Sequence, residues 1–258
     1  GTAALGGSIA GGEFNVAIGN ESLDALTSGD KNTVIGYDAG GALTTGSANT
    51  IIGENAGSNG AITGDDNTVV GKIAGYALTS GHSNTLIGRH AASALTTGVR
   101  NVALGMGAND SAADGENDNI AIGYNAMASA SLAGAEFNVA IGNYALDALT
   151  SGDYNVAVGY GAGGAVSIGT GNIHMGYNAG ADRTSGSDSV FLGYRAGHNC
   201  TTGSNIVFIG KNAGDGHDTE GDNLGIGSNA LGGSIAGGEY NVSVGNLTLD
   251  ALTSGDYN

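Results

Sequence analysis

Large side chains are the first thing this chain lacks. It has no tryptophan, no proline and only four phenylalanines among 258 residues. Any interior must therefore be thin and built from Ala, Val, Ile and Leu. Basic residues are also few, since seven Lys and Arg against 24 Asp and Glu give a formal charge of −17. This balance argues against binding to nucleic acid or to an anionic membrane, because both need a basic surface.

Disulfides, membrane spans and catalytic motifs are missing as well. A single cysteine, Cys200, cannot form an intrachain disulfide. No apolar run is long enough to cross a bilayer. The sequence has no nucleophile elbow, phosphate loop or paired-carboxylate signature, so we expect no enzymatic activity. Glycine is abundant at 51 residues, but it does not follow the Gly-X-Y period of collagen.

What the chain does have is a repeat. The pattern Asn-x-aliphatic-aliphatic-Gly, first seen at residues 15–19 and 32–36, recurs at intervals of 17, 18 or 19 residues. A fixed period of this kind is typical of an architecture in which each unit buries its apolar face by stacking on its neighbours. It predicts an all-β solenoid, a β-roll or β-helix, with one repeat array of about fourteen turns over residues 1–258. Residues 4–30 closely match residues 230–256, so we read the chain as a segment of a longer protein.

Each turn is predicted to contain two short strands and two corners. The first strand is the β-branched stretch of the motif, and the second is an apolar stretch such as residues 42–44. Glycine is expected to supply positive φ at the corners. Three residues after the motif glycine, almost every turn has alanine, which indicates a tight bend or a close approach of backbones.

Alternation along the first strand divides its side chains between two faces. The fourth motif position is always aliphatic or Met, and we assign these residues to the core of the coil: Ile18, Ile35, Ile52, Val70, Ile87, Leu104, Ile122, Ile141 and Val158. The third position points the other way but is also mostly apolar, so we expect it to pack against another chain. The inter-chain candidates are Val34, Ile51, Val69, Leu86, His174, Phe191 and Phe208. This arrangement predicts a parallel homotrimer.

Asparagine opens most turns and is expected to form a structural ladder. Stacked Asn side chains in solenoids bond one another and the backbone of the corners. The predicted ladder comprises Asn15, Asn32, Asn49, Asn67, Asn84, Asn101, Asn119, Asn138, Asn155 and Asn172.

The repeats resemble known families. Residues 32–39 and 42–46 look like repeats of phage tail-fibre and bacterial surface proteins, where they often precede an intramolecular chaperone domain of the endosialidase type. The core Asn-x-Val-Ala-Ile-Gly-x-x-Ala is also similar to the head repeats of trimeric autotransporter adhesins, whose chains form trimeric β-rolls with a shorter repeat. The resemblance covers essentially the whole chain. It implies a trimeric shaft or adhesive stalk, outside the cell, on a virion tail fibre or a cell surface.

Three other features allow further interpretations. Acidic corners such as Asp30, Asp65 and Asp153 are expected to be solvated, with weak Ca²⁺ binding as the alternative; no other cofactor is predicted. Tyr160, Tyr177 and Tyr194 follow the motif glycine on consecutive turns and form either a stabilising ladder or a surface that binds a sugar or partner. His174 is expected in packed surroundings, with a metal on a threefold axis as the alternative.

The predicted function is mechanical. We expect a stiff fibre shaft that holds a receptor-binding tip away from the particle or cell, with host glycan or receptor contacts made by parts outside this segment. The alternative function is an ice-binding or glycan-binding adhesin. Ice binding would use a threonine found once in most turns: Thr27, Thr44, Thr63, Thr79, Thr96, Thr150, Thr184, Thr201 and Thr253.

Overall fold

The chain folds as an all-β parallel solenoid of about thirteen turns, each of about seventeen residues. This computed structural model describes residues 1–7, 10–111, 115–129, 134–233 and 237–258, and these ranges contain fourteen strands and no helix. The predicted fold class is confirmed at this level. The described residues therefore include no helix that could span a membrane.

Two compact units divide the chain, Gly1–Gly134 and Ala135–Asn258. Each strand has three residues and pairs in parallel with the next, residue for residue, so that equivalent positions stack along each unit. The first unit contains β1 (Val16–Ile18), β2 (Thr33–Ile35), β3 (Thr50–Ile52), β4 (Thr68–Val70), β5 (Thr85–Ile87), β6 (Val102–Leu104) and β7 (Ile120–Ile122). The second contains β8 (Val139–Ile141), β9 (Val156–Val158), β10 (Ile173–Met175), β11 (Val190–Leu192), β12 (Val207–Ile209), β13 (Leu224–Ile226) and β14 (Val242–Val244).

The motif glycine ends each strand for two reasons. Gly53 has φ of +138°, a region that L side chains rarely adopt. A Cβ on Gly53 would also lie 2.5 Å from the carbonyl oxygen of Gly71, the equivalent glycine one turn on. The predicted positive φ is therefore present at the motif glycine.

The Thr/Ser-Gly corner differs from that prediction. Gly46, Gly81, Gly98, Gly152 and Gly203 do not have positive φ, but a Cβ at Gly81 would lie 2.6 Å from the carbonyl oxygen of Gly98. Close backbone stacking, rather than φ, requires glycine here. Positive φ falls instead on the residue before the motif asparagine, such as Lys31 (φ 59°) and Ala48 (φ 58°).

The second strand of each turn is not shown. Among the described residues, the second apolar stretch forms one isolated parallel bridge, Leu43 with Ile62. At the end of this stretch, two successive amides donate to one carbonyl, as when Thr27 and Ser28 both donate to the oxygen of Thr44. Sharing one acceptor breaks the regular alternation of a strand ladder.

The assignment of the two strand faces was wrong. The third-position residues, expected at a chain interface, are fully buried inside the coil: Val34, Ile51, Val69, Leu86, His174, Phe191 and Phe208. The fourth-position residues, expected in the core, are partly or fully exposed: Ile18, Ile35, Ile52, Val70, Ile87, Leu104, Ile122, Ile141 and Val158. Buried leucines of the second stretch, including Leu26, Leu43 and Leu78, fill the remaining interior. The interior is therefore lined by the third motif position and by the leucines of the second stretch.

Side-chain volume inside the coil is shared between two positions. Where the residue at the third motif position is large, the residue four positions after the motif glycine is small, as in the pair Phe191 and Gly197. A Cβ on Gly197 would lie 2.8 Å from the Phe191 ring. In β8 the order is reversed, with Ala140 opposite the buried Leu146. The interior thus stays close-packed although its residues change from turn to turn.

Candidate functional site

The largest candidate for function is an exposed apolar surface on the strands, which we call the outer strand face. It consists of the second and fourth motif residues of every strand. In the first unit the second position is mostly threonine and the fourth is aliphatic. In the second unit both positions are apolar throughout. On inner turns, Leu104 is 42% exposed and Leu192 is 41% exposed.

The asparagine ladder precedes the strands of this face and holds them in register. Asn67, which is 1% exposed, donates from Nδ2 to Oδ1 of Asn49 (3.1 Å) and to the carbonyl oxygen of Gly81 (3.0 Å). Its own Oδ1 accepts from the backbone N–H and the Nδ2 of Asn84, at 3.1 and 3.0 Å. The same bonds recur wherever successive turns begin with asparagine, and they hold these strands in register.

The corner threonines form a second row of braces. The hydroxyl of Thr27 donates to the carbonyl oxygen of Thr44 at 3.0 Å. In the same way, the hydroxyl of Thr79 donates to the carbonyl oxygen of Thr96 at 3.0 Å. Thr150 makes the equivalent bond to Ser167 at 2.9 Å. These hydroxyls therefore use their protons within the coil and offer water only their acceptor lone pairs; ice binding by this row, the alternative function, stays a prediction.

The acidic corners also have a local structural role. Oδ1 of Asp30 accepts the backbone N–H of Glu13 at 2.7 Å, and Oδ1 of Asp65 accepts that of Ser47 at 2.7 Å. Asp153 does the same for Glu136 at 2.9 Å. In the described parts of the chain, no three His, Cys, Asp or Glu side chains are grouped to hold a metal. Weak calcium binding at these corners stays a prediction.

The three tyrosines stack as predicted along the second unit. The Tyr177 ring lies 5.5 Å from that of Tyr160 and 5.3 Å from that of Tyr194, with interplanar angles of 11° and 10°. Both faces of the middle ring are therefore covered, and the edges point outward. A sugar that stacks on aromatic faces would find little free ring face here; sugar binding by this row stays a prediction.

The second unit buries several polar side chains that the sequence reasoning missed. In three consecutive turns, Arg183, Cys200 and His217 are fully buried, each seven residues after the motif glycine, where Leu43 and Leu78 lie in the first unit. Aligning the repeats would have indicated this burial, because these three residues occupy a position that holds leucine in other turns. His174 is also fully buried, as part of the corrected third position, and does not lie on an outer axis.

Arg183 repairs a gap in the asparagine ladder. Ser189 occupies a motif-asparagine position, and its hydroxyl accepts the backbone N–H of Ile206 at 3.1 Å, as Asn Oδ1 would. The guanidinium of Arg183 donates to that hydroxyl at 2.9 Å and to the carbonyl oxygen of Gly186 at 3.1 Å. It also lies 5.1 Å from the centre of the Phe191 ring. Arg183 thus supplies the donor, and Ser189 the acceptor, that an asparagine side-chain amide would provide at this position.

The buried histidines are held neutral. Burial, with a smaller contribution from the positive Arg183, lowers the pKa of His174 to about 3. Burial lowers the pKa of His217 to about 4, although Glu220 acts in the opposite direction. Neither ring nitrogen of His174 has a hydrogen-bond partner, and its ring stacks on that of Phe191 at 5.4 Å.

These shifts predict that acid destabilises the second unit. The folded-state pKa lies below the unfolded value of about 6.5, so the unfolded chain takes up protons first. Stability is fully present above pH ~6.5 and falls by about 1.4 kcal/mol per pH unit for each histidine as the pH drops towards the folded value. We expect His174→Phe to remove about half of this slope, because phenylalanine already stacks in the next turn.

The measurement is the urea midpoint of the wild type and the variant between pH 7 and 4.5. The exposed His82 provides the matched control, His82→Phe, which should leave the slope unchanged. An equal slope in wild type and His174→Phe would show that the buried ring is not responsible.

Comparison with known protein families, curated proteins and solved structures finds no match for this chain. The resemblance to tail-fibre and adhesin repeats therefore rests on the motifs alone. The class that the fold defines is a parallel β-solenoid repeat protein.

Proposed function

We propose that this chain is a structural fibre shaft or stalk, built by side-by-side association of identical chains through the outer strand face. The observation that carries the proposal is the exposed apolar character of this face. The third-position residues are buried inside the coil, so the residues available to a partner chain are those at the second and fourth positions. A trimer is the assembly that the resemblance implies.

The size and composition of the face support association. Two outward residues from each of seven strands give 14 side chains on each unit, a large share of the roughly 20–30 residues a side of a standard protein interface. Exposed apolar patches beyond a few hundred Å² typically mark interaction sites. None of these outward positions holds a charged residue, as is usual for the core of an interface.

A second copy is the occupant that this face fits best. The face repeats every turn, so it offers an equal row of contacts along its length rather than one pocket for a small partner. The role that follows is mechanical: a stiff extracellular rod, on a virion tail fibre or a cell surface, that holds a receptor-binding tip at a distance. Receptor or glycan contacts are assigned to parts of the protein outside this segment.

The test is the solution mass of the purified chain, measured by light scattering coupled to size exclusion. We expect the mass of three chains for the wild type. The double substitution Ile52→Lys and Ile87→Lys places two charges on the face. Burying an unpaired charge costs at least about 3 kcal/mol, so association should weaken at least ~100-fold.

A matched control places the same charges elsewhere on the same unit. Thr45 and Ser80 are exposed corner residues, and Thr45→Lys with Ser80→Lys should leave the mass unchanged. Circular dichroism checks that each variant folds. A monomeric wild type would overturn the proposal, and so would a control that dissociates as readily as the face variant.

Ordering of water is the second candidate, and one observation favours it. Thr33, Thr50, Thr68 and Thr85 lie in register on four consecutive strands of the outer strand face, with an aliphatic side chain two residues after each. They are spaced by about 4.8 Å, the distance between neighbouring strands. If the wild type is monomeric, thermal hysteresis of its freezing point is the next measurement, and Thr50→Lys should abolish it.

A further inference from the structure

The tyrosine stack in the second unit combines exposed phenols with short distances between neighbouring rings. Tyr160, Tyr177 and Tyr194 are 49%, 46% and 49% exposed, yet the centroid of the Tyr177 ring lies 5.5 Å from that of Tyr160 and 5.3 Å from that of Tyr194. A phenol that is both accessible to a small oxidant and close to a second phenol is suited to oxidative coupling. We propose that this stack is an oxidative modification site, at which neighbouring turns become joined by dityrosine bonds.

The parallel register creates this site. β9, β10 and β11 pair residue for residue, so the residue after each motif glycine recurs at the same place on successive turns. Two phenols fixed side by side react as if at very high concentration, because their encounter needs no diffusion. The rings lie outside the close-packed interior, so their outer edges can rotate towards each other.

The chemistry needs one two-electron oxidant per bond, and we name hydrogen peroxide acting through a peroxidase. Each phenol loses one electron and one proton to become a phenoxyl radical. Two radicals on adjacent turns then form one carbon–carbon bond between their Cε atoms. Both rings regain aromaticity as the hydrogens on the bonded carbons leave and the oxygens are protonated. Overall, two tyrosines and one peroxide give one dityrosine and two waters.

The consequence is a covalent staple across consecutive turns. A solenoid unit opens turn by turn, because each repeat contacts only its neighbours. A bond between turns opposes that opening. Disulfides cannot supply such a bond, because the chain has one cysteine and it is buried. This inference does not depend on the proposed self-association.

The chain has built-in controls for this stack. Phe137 and Tyr154 stack at 5.2 Å with parallel rings, but the pair carries only one phenol. Tyr240 and Tyr257 form a second pair of phenols at 5.0 Å. Coupling should therefore occur in the second of these pairs and not in the first. Tyr37 is 53% exposed and has Asn20 and Glu54 as its neighbours in the row, so it represents a tyrosine without a stacked partner.

The experiment treats the purified chain with peroxidase and peroxide, then measures dityrosine fluorescence and maps cross-linked peptides by mass spectrometry. We expect bonds between Tyr177 and its two neighbours at least ~10-fold more often than bonds involving Tyr37. Tyr177→Phe keeps the stacked ring but should abolish both bonds. Tyr37→Phe should leave the yield unchanged.

Three results would overturn the inference. One is an unchanged yield of cross-links among residues 160–194 in Tyr177→Phe; another is a set of bonds spread evenly over all tyrosines. The third is a product that is mainly bonded between chains, which denaturing gel electrophoresis would reveal as a doubled mass. If the staple forms, the urea midpoint of the oxidised wild type should exceed that of oxidised Tyr177→Phe.

Discussion

Replacing Gly53 by alanine is expected to lower the free energy of unfolding by about 3–5 kcal/mol, close to the largest effect of a single substitution. Two costs add at this position. The backbone holds φ of +138°, which alanine adopts only with strain. The new Cβ would also lie 2.5 Å from the carbonyl oxygen of Gly71 and 2.6 Å from its carbon. Neither atom can move aside, because both belong to the backbone of the next turn.

Urea unfolding followed by circular dichroism measures this effect, with hydrogen exchange to locate it. Exchange should increase first at β3 and β4, the two strands that meet at this glycine. Gly11→Ala is the control, because Gly11 does not have positive φ and a Cβ there would meet nothing within 4 Å. A change of less than 1 kcal/mol in Gly53→Ala would mean that the turns do not stack as closely as the structure shows.

Replacing Asn67 by alanine should cost about 3–4 kcal/mol, the second largest effect. Asn67 is 1% exposed, and its amide joins the turn before it to the turn after it. Alanine would remove the acceptor for two donors of Asn84 and leave the carbonyl oxygen of Gly81 without its side-chain donor. Oδ1 of Asn49 would lose one of its two donors and keep the backbone N–H of residue 67. Unpaired buried polar groups carry the full cost of desolvation, which is why the loss exceeds that of one hydrogen bond.

Asn59→Ala is the matched control, because Asn59 is exposed on the corner of the same unit. Its effect on the urea midpoint should be within ±0.5 kcal/mol, as for ordinary surface positions. If Asn67→Ala were equally mild, the ladder would not be a main source of stability. Asn67→Asp offers a second comparison, since it keeps the shape and acceptor oxygens but loses the Nδ2 donors.

Some features could be predicted because they depend on one residue and its copy in the next turn. The motif glycine and the Asn side chain are of this kind, since positive φ and amide bonding are properties of residue types. The alanine three residues after the motif glycine was also predictable, because a residue that stays small on almost every turn indicates a tightly packed position. Ala39, Ala56 and Ala74 are indeed fully buried. The corner threonines were recognised as a row, but the acceptors of their hydroxyls were not.

Other features could not be predicted, because they depend on how much space the coil leaves. Alternation showed that Val34 and Ile35 face opposite sides, but not which side is inside. Both are aliphatic, so hydrophobicity did not distinguish them. The pairing of a large third-position residue with a glycine, as in Phe208 and Gly214, would have identified the inner side. A buried ring leaves no room for a side chain on the residue beside it. The buried Arg183 was overlooked because charge normally indicates a surface.

The sequence by itself determined the period, the parallel solenoid and the residues that repeat on each turn, because hydrogen bonding between successive turns requires the same residue types at a fixed interval. Only the tertiary structure decided which strand face is the interior and which rows of side chains remain exposed. The physical reason is volume. The leucines of the second stretch and the alanines three residues after the motif glycine fill one side of the interior, and the third motif position fills the rest.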